Sequence, residues 1–386
     1  MIQAKQPKEY DAILGSQTSL QQAQQRILQL EKQLCHAQRQ IGTDGLDLLI
    51  EAMNASESKT VQRVALSLLQ ESTSLKAINA LEKFKPDSYK LISCLHTGRH
   101  EDWVHSVAFS PDGQTLVSSG GDQDQTIKIW NLDNGSLIRT LIGHQRWISS
   151  VAVSPNGQIL ASGSADKTIK IWDFNTGNLI NDIADPDEIW SVAFSPDNQT
   201  LASGSKDKTI KLWDFQAGVL IGVFAGFADL VTSVAISPDG QFLAGGSSDS
   251  TIRIWNLGTR KLLYQFREHT NHVRSIAISP DSQTLVSGGH DLTIKIWHLG
   301  TGNLIHSLED TASVTSVVVS ADGRFIVSSN DDGKVKIWHL GTGELIHTIN
   351  AHSNYAFSAV ISSDGWTLAS GSAHKTVKVW RVSPDK

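Results

Sequence analysis

The chain has 386 residues, 40% apolar and 19% charged, which is too long for one small domain and apolar enough for a sizeable core. Lys plus Arg number 33 against 39 Asp plus Glu, a formal charge of −6, which argues against a nucleic-acid partner. Cys35 and Cys94 are the only cysteines and lack metal-ligand spacing, and the start MIQAKQPKEY has no apolar leader; no disulfide framework and no membrane insertion are expected, and the expected setting is the reducing cytoplasm.

Residues 13–41 carry Ile13, Leu20, Ala23, Ile27, Leu30, Leu34, Ala37 and Ile41. From Leu20 these alternate at spacings of three and four, a heptad seam among Gln, Glu, Lys and Arg. That spacing predicts a coiled-coil-like helix over 1–43, which either forms a homo-oligomer through residues 13–41 or folds back on its own neighbours. Three shorter helical patterns follow, marked by Leu46 to Met53, Val61 to Leu69 and Leu75 to Leu81. They predict a small helical module over 44–86, with polar NASESK and ESTS as its turns. Lys85-Pro86-Asp87 is the expected joint, because proline disfavours helix in the residue before it.

Beyond the joint a phrase recurs. Trp130, Trp172, Trp213, Trp255, Trp297, Trp338 and Trp380 stand 41 or 42 residues apart, the period of a four-stranded propeller blade. In the second copy Val151 and Val153 mark a first strand, SPNG turns, QILASGS is a second strand, and a turn at Asp166 leads to Ile169-Lys170-Ile171. NTG turns again before the fourth strand, LIND; Gly, Pro and Asp fall in the turns, as an antiparallel blade requires. The last copy stops after KTVKVW with no fourth strand, and Lys90 to Leu95 near the start matches Leu137 to Leu141. The expectation is a mainly β, seven-bladed propeller over 87–386. Its last blade joins three C-terminal strands to one N-terminal strand, and a small all-α module precedes it.

SPDGQTL, ASGS, DKTIKIW and the spacing to His144 resemble the WD-repeat β-propellers over residues 89–386, closest in repeat style to cyanobacterial WD-repeat proteins. The resemblance implies a hydrogen-bonded His, Ser, Asp and Trp set inside a blade. By register these are His100, Ser118, Asp124 and Trp130 in the first copy, His144, Ser162, Asp166 and Trp172 in the second, and His269, Ser287, Asp291 and Trp297 in the fifth. Elsewhere Asp185, Phe227 and Asp310 replace the His, Gly245 replaces a Ser, and His374 replaces an Asp. The expectation is that these sets staple blades and are not catalytic triads.

No P-loop, GxGxxG, GxSxG or CxxC is present. HEDWVH has one residue too many for a zinc helix, and Asp122 and Asp124 lack the rest of a calcium loop. No enzyme, metal or cofactor is expected. The aromatic surplus is more informative. Three residues beyond each His position stand Trp103, Trp147, Glu188, Leu230, His272, Ser313 and Tyr355; two further on stand His105, Ser149, Trp190, Thr232, Arg274, Thr315 and Phe357. In a propeller both sets lie where a loop enters the inner strand, at one mouth of the channel. Lys128, Lys170 and Lys211 are expected on a solvated face.

From Asp87 onward there are 23 basic and 30 acidic side chains, a balance that suits protein partners with basic patches. The family resemblance implies an interaction platform. The expected function is therefore a non-catalytic scaffold that takes a protein or peptide on Trp103, His105, Trp147, Trp190, His272, Arg274, Tyr355 and Phe357. Two alternatives stand beside it. One is a regulatory subunit gripping its main partner through the helical module, so that a fragment ending near Phe84 keeps binding. The other is an enzyme with a small-molecule site in the channel.

Overall fold

The computed structural model describes residues 89–384, and side chains within 94–381. The helix expected over 1–43, the module over 44–86, the joint and the oligomer expected through residues 13–41 lie outside the described residues.

Turn chemistry cuts each repeat into strands. In the first copy Ser110 donates to the Asp112 carboxylate (2.5 Å) and accepts the Thr115 N–H (3.0 Å), while Asp112 accepts the Gln114 N–H (3.0 Å). Gly113 sits at φ +67°, a left-handed conformation in which a Cβ is strained. Asn198 and Ser282 hold the same turn position at φ 59°, so the hydrogen bonds, more than glycine, set this turn.

The outcome is seven four-stranded antiparallel sheets, each in sequential order except the last. Blade 2, for example, runs Ile148–Val153, Ile159–Ser164, Thr168–Asp173 and Leu179–Ala184. Blade 7 pairs Thr376–Pro384 with Tyr89–Arg99, so the N-terminal strand supplies the fourth strand that the C-terminus lacks. That strand is longer than the sequence match, and its register shifts between Leu91 and Ser93 and again between Cys94 and His96. Among the described residues no helix is long and apolar enough to cross a membrane.

The core lies between blades. Ile169, Ile171 and Ile183 of blade 2 pack against Ile189, Val192, Leu201 and Trp213 of blade 3, and the same arrangement recurs around the ring. The recurring Trp is thus the wedge that one blade drives against its predecessor. An indole burying ~200 Å² contributes at most about 5 kcal/mol at ~25 cal/mol/Å².

Two polar latches reinforce these contacts. On the inside, a serine hydroxyl of one inner strand accepts the N–H of the next: Ser106 from Val151 (3.2 Å), Ser150 from Val192 (3.2 Å), Ser191 from Val234 (3.1 Å) and Ser233 from Ile276 (3.1 Å). Ser275 takes Val317 (3.0 Å), and Ser358 takes Val107 across the closure (3.3 Å). These strands are blade edges, so the hydroxyls occupy amides that no ladder reaches. On the outside, His96, Arg139, Asn181, Tyr264 and His306 each reach a backbone carbonyl in the following blade's last turn.

Candidate functional site

The polar sets inside the blades come first, because they decide which Ser, His and Asp residues are available for chemistry. His144 Nδ1 lies 2.8 Å from Asp166, its Nε2 lies 2.7 Å from Ser162 Oγ, and Trp172 Nε1 donates to that Oγ at 2.9 Å. His100, Ser118, Asp124 and Trp130 repeat the geometry, as do His269, Ser287, Asp291 and Trp297. Burial opposes ionisation of Asp124, Asp166 and Asp291, but the His hydrogen bond and nearby donors outweigh it and hold all three low, Asp291 at about 2. An ionised Asp fixes the tautomer: Nδ1–H donates to it, Nε2 accepts from Ser, and Ser accepts from Trp. The three serines are fully buried and their hydroxyls are engaged on both sides, so no substrate reaches them. They hold strands together.

The departures from this set compensate locally. Where Asp310 replaces the His, Lys336 from the third strand forms a buried ion pair with it. Asp185 likewise meets Lys211, 3.0 Å away, and accepts from Ser205. Where Phe227 replaces the His, Arg253 lies over its ring at 5.0 Å. Gly245 then leaves the room that the ring fills, since a Cβ there would come within 3.0 Å of Phe227.

The expectation that the third-strand lysines form a solvated face is corrected. Lys170, Lys211, Lys295 and Lys336 are only 4–7% exposed, and Lys128 is half-buried against the Arg99 carbonyl. Each blade is covered on both faces by its neighbours, so alternation along a middle strand does not separate inside from outside. The ammonium groups end on partners such as Asp182 and Ser307.

The channel is shaped by a bulge. In all seven inner strands the register slips around the second residue, as between Ile148 and Ser150. A bulge re-aims the side chain it carries. The seven side chains so turned are His105, Ser149, Trp190, Thr232, Arg274, Thr315 and Phe357, and with Trp147 they line one cavity of about 90 Å³. Large and small alternate around it. Ser149, Thr232 and Thr315 fold back to the carbonyls of Ile189, Val273 and Ala356 in the next blade. His105, Trp190, Arg274 and Phe357, in the blades between, fill the lumen. Such alternation is how a tapering interior is packed.

Above this ring the aromatics form one connected arc. Tyr355 stacks on Phe357 (6.0 Å), which meets Trp103 (5.6 Å) and His105 (5.1 Å); His105 meets Trp147 (5.1 Å), and Trp147 meets Trp190 edge-on (5.2 Å). Arg274 closes the arc with its guanidinium 5.6 Å from the Trp190 ring centre. Trp103 and Tyr355, at 48% and 47%, are the exposed members. His272 stands apart, stacked on His290 at 5.6 Å. Trp147 is held by its backbone N–H, which donates to the Asp122 carboxylate (3.0 Å) in the two-residue insertion of the first repeat. The sequence marked both the insertion and the Trp, but no pattern linked them.

The channel's electrostatics follow from burial. His105 is driven down to about 4 by burial, with Asp102 opposing and Arg274 adding to the fall, so it is neutral at pH 7. Burial also lowers Arg274. Arg274 Nε and Trp190 Nε1 are buried donors with no acceptor, and no described carboxylate lies within ion-pair distance of Arg274. The nearby rim carboxylates are engaged: Asp102 accepts the Gln123 N–H, and Arg146 sits between Asp122 (3.7 Å) and Glu188 (3.3 Å). Among the described residues no group of three or more His, Cys, Asp and Glu is placed to hold a metal ion.

Comparison with known proteins agrees with this architecture. The family model described as WD domain, G-beta repeat matches residues 90–131, 135–173 and 343–381, and that described as IFT122 first beta-propeller matches 188–339. An uncharacterized WD repeat-containing protein of Synechocystis sp. is 60% identical over 43 residues, 11% of this chain and 12% of that protein. The nuclear distribution protein nudF of Aspergillus terreus is 38% identical over 94 residues, 22% of this chain and 21% of that protein. The chain therefore spans less than a quarter of the length of these curated relatives. WD-repeat propellers are typically protein-interaction scaffolds and are generally non-catalytic. With seven in-phase repeats, seven four-stranded blades and these matches, the chain belongs to the WD-repeat β-propeller family.

Proposed function

We propose that this chain is a non-catalytic cytoplasmic scaffold that holds a protein or peptide partner across the aromatic mouth, with its N-terminal residues serving oligomerisation or docking. One observation carries the reading: the rings of Tyr355, Phe357, Trp103, His105, Trp147 and Trp190 form an unbroken arc at one end of the channel, with Trp103 and Tyr355 open to solvent. The tryptophans that pack between blades, such as Trp172 and Trp213, are the repeat residues, which lie elsewhere. Aromatic anchors of this kind cost about 2 kcal/mol or more each when truncated in an interface. His105, His272 and Arg274 supply polar contacts beside them.

The test is affinity capture with the full chain, comparing wild type and a Trp103→Ala, Trp147→Ala, Tyr355→Ala variant whose melting curve shows intact folding. A protein retained by wild type and lost from the variant supports the mouth and names the partner. A protein retained by both moves the main contact to residues 1–86 and overturns the mouth as its site.

A further inference from the structure

The lining of the channel selects a charge. An aromatic box alone would favour a cation, by attraction to the ring faces. Here Arg274 already occupies that role over Trp190, and its fixed positive charge repels a second cation. What is unmet is acceptance. The Arg274 Nε–H and the Trp190 Nε1–H are both buried without an acceptor, in side chains that line the same cavity. A buried donor left unpaired costs about 1–3 kcal/mol, and more when charged, so the site is built for something that accepts. The hydroxyls of Ser149, Thr232 and Thr315 are committed to carbonyls of neighbouring blades, and His105 beside them is uncharged.

We infer that the channel receives a single acidic side chain, Asp or Glu, presented by the partner, with its carboxylate accepting from Arg274 and Trp190. This rests on the mouth being the binding surface. The volume, about 90 Å³, suits a carboxylate and its adjoining methylenes, not a second folded element. The rim limits the ligand further. Asp102, Asp122 and Glu188 stand around the entry, so a run of acidic residues is repelled, whereas one carboxylate flanked by basic or neutral residues is not. The aromatics of the arc would clamp the flanking residues while Arg274 reads the central one.

The experiment uses the full chain and synthetic nonapeptide pools, capped at both ends, with the central position fixed as Glu, Gln or Lys and the rest randomised; a further pool has central Gln and a free C-terminus. For wild type the Glu pool is expected to bind about tenfold more tightly than the Gln pool, the scale of one charge-assisted hydrogen bond. Arg274→Gln is expected to bring the two pools together, and Trp190→Phe, which removes the indole donor and keeps a smaller aromatic ring, to narrow the gap. Arg274→Lys keeps the charge and is expected to retain part of it. Binding that favours Lys, or a Glu preference that survives Arg274→Gln in a folded variant, overturns the inference while leaving the mouth intact. Stronger binding of the free C-terminus overturns the side-chain assignment. If wild type binds none of the pools, the mouth reading fails as well.

Discussion

Asp310 and Lys336 form a pair whose partners were chosen by what stands at the His position of their blade. In blades 2 and 5, with His at that position, the third-strand lysine turns to the outer strand, Lys170 to Asp182 and Lys295 to Ser307, while Lys128 and Lys378 in the other two His blades reach the Arg99 and Ala351 carbonyls. With Asp there, the lysine turns inward and neutralises it. Breaking one side leaves an isolated buried charge, which costs about 3–5 kcal/mol. Lys336→Met is therefore expected to lower the urea midpoint sharply, while adding Asp310→Asn recovers most of the loss. Equal destabilisation in the single and double variants would falsify this account. In the sequence Lys336 is legible only as a polar residue between Val335 and Ile337, which points to solvent. Alternation identifies the exposed face only of a sheet with a free side, and a stacked blade has none. The departures at Asp185, Phe227 and Asp310 were equally legible as departures, but the residue compensating each one is set by three-dimensional neighbourhood.

Blade 7 keeps the His and Ser of the polar set but lacks its Asp. His352 contacts Ser370 (2.7 Å), but the Asp position holds His374, which turns instead to Ser353. Burial, then Lys378 and His374, bring His352 down to about 3. Its folded pKa thus lies below the unfolded value of about 6.5, and between the two the unfolded chain binds the extra proton. Stability from this group is complete above pH 6.5 and declines as pH falls toward 3; His105, held at about 4, adds in the same direction. His374→Asp supplies the missing carboxylate, and the expected gain is on the order of 1 kcal/mol at pH 7, growing at pH 5. Urea midpoints at the two pH values check it, and an equal gain at both would remove the titration argument. The blade's strands and its missing fourth member were plain in the sequence. The bulge in each inner strand was not: it changes which residue faces the axis without changing the spacing of apolar positions. The recurring Ser at Ser106, Ser150, Ser191 and their equivalents was visible as a repeat, but its role needs the adjacent blade's amide.

At the scale of the whole ring, closure depends on Tyr89–Arg99 lying against Thr376–Pro384. A chain lacking residues 1–99 leaves the latter strand as an open edge, a template for association. It is expected to lose the single cooperative melt and to self-associate, read by light scattering on a sizing column; a monomer with an unchanged melt would show that closure is dispensable. The closure was legible because an absent strand at one end and a surplus strand at the other add up to one repeat. The mouth was legible in part: register placed Trp103, Trp147, Trp190, Tyr355 and Phe357 together, but not the unmet donors of Arg274 and Trp190. The alternation of hydroxyl and bulky side chains around the lumen has a further consequence. A two-term alternation closes on itself only over an even number of positions, and this circle has seven. It must fail once, and it fails where Phe357 meets His105, beside the junction of the two chain ends. An eight-bladed ring could alternate all the way round and have no distinguished side. Odd parity gives this one a seam, and with it a fixed direction from which an incoming chain can be read.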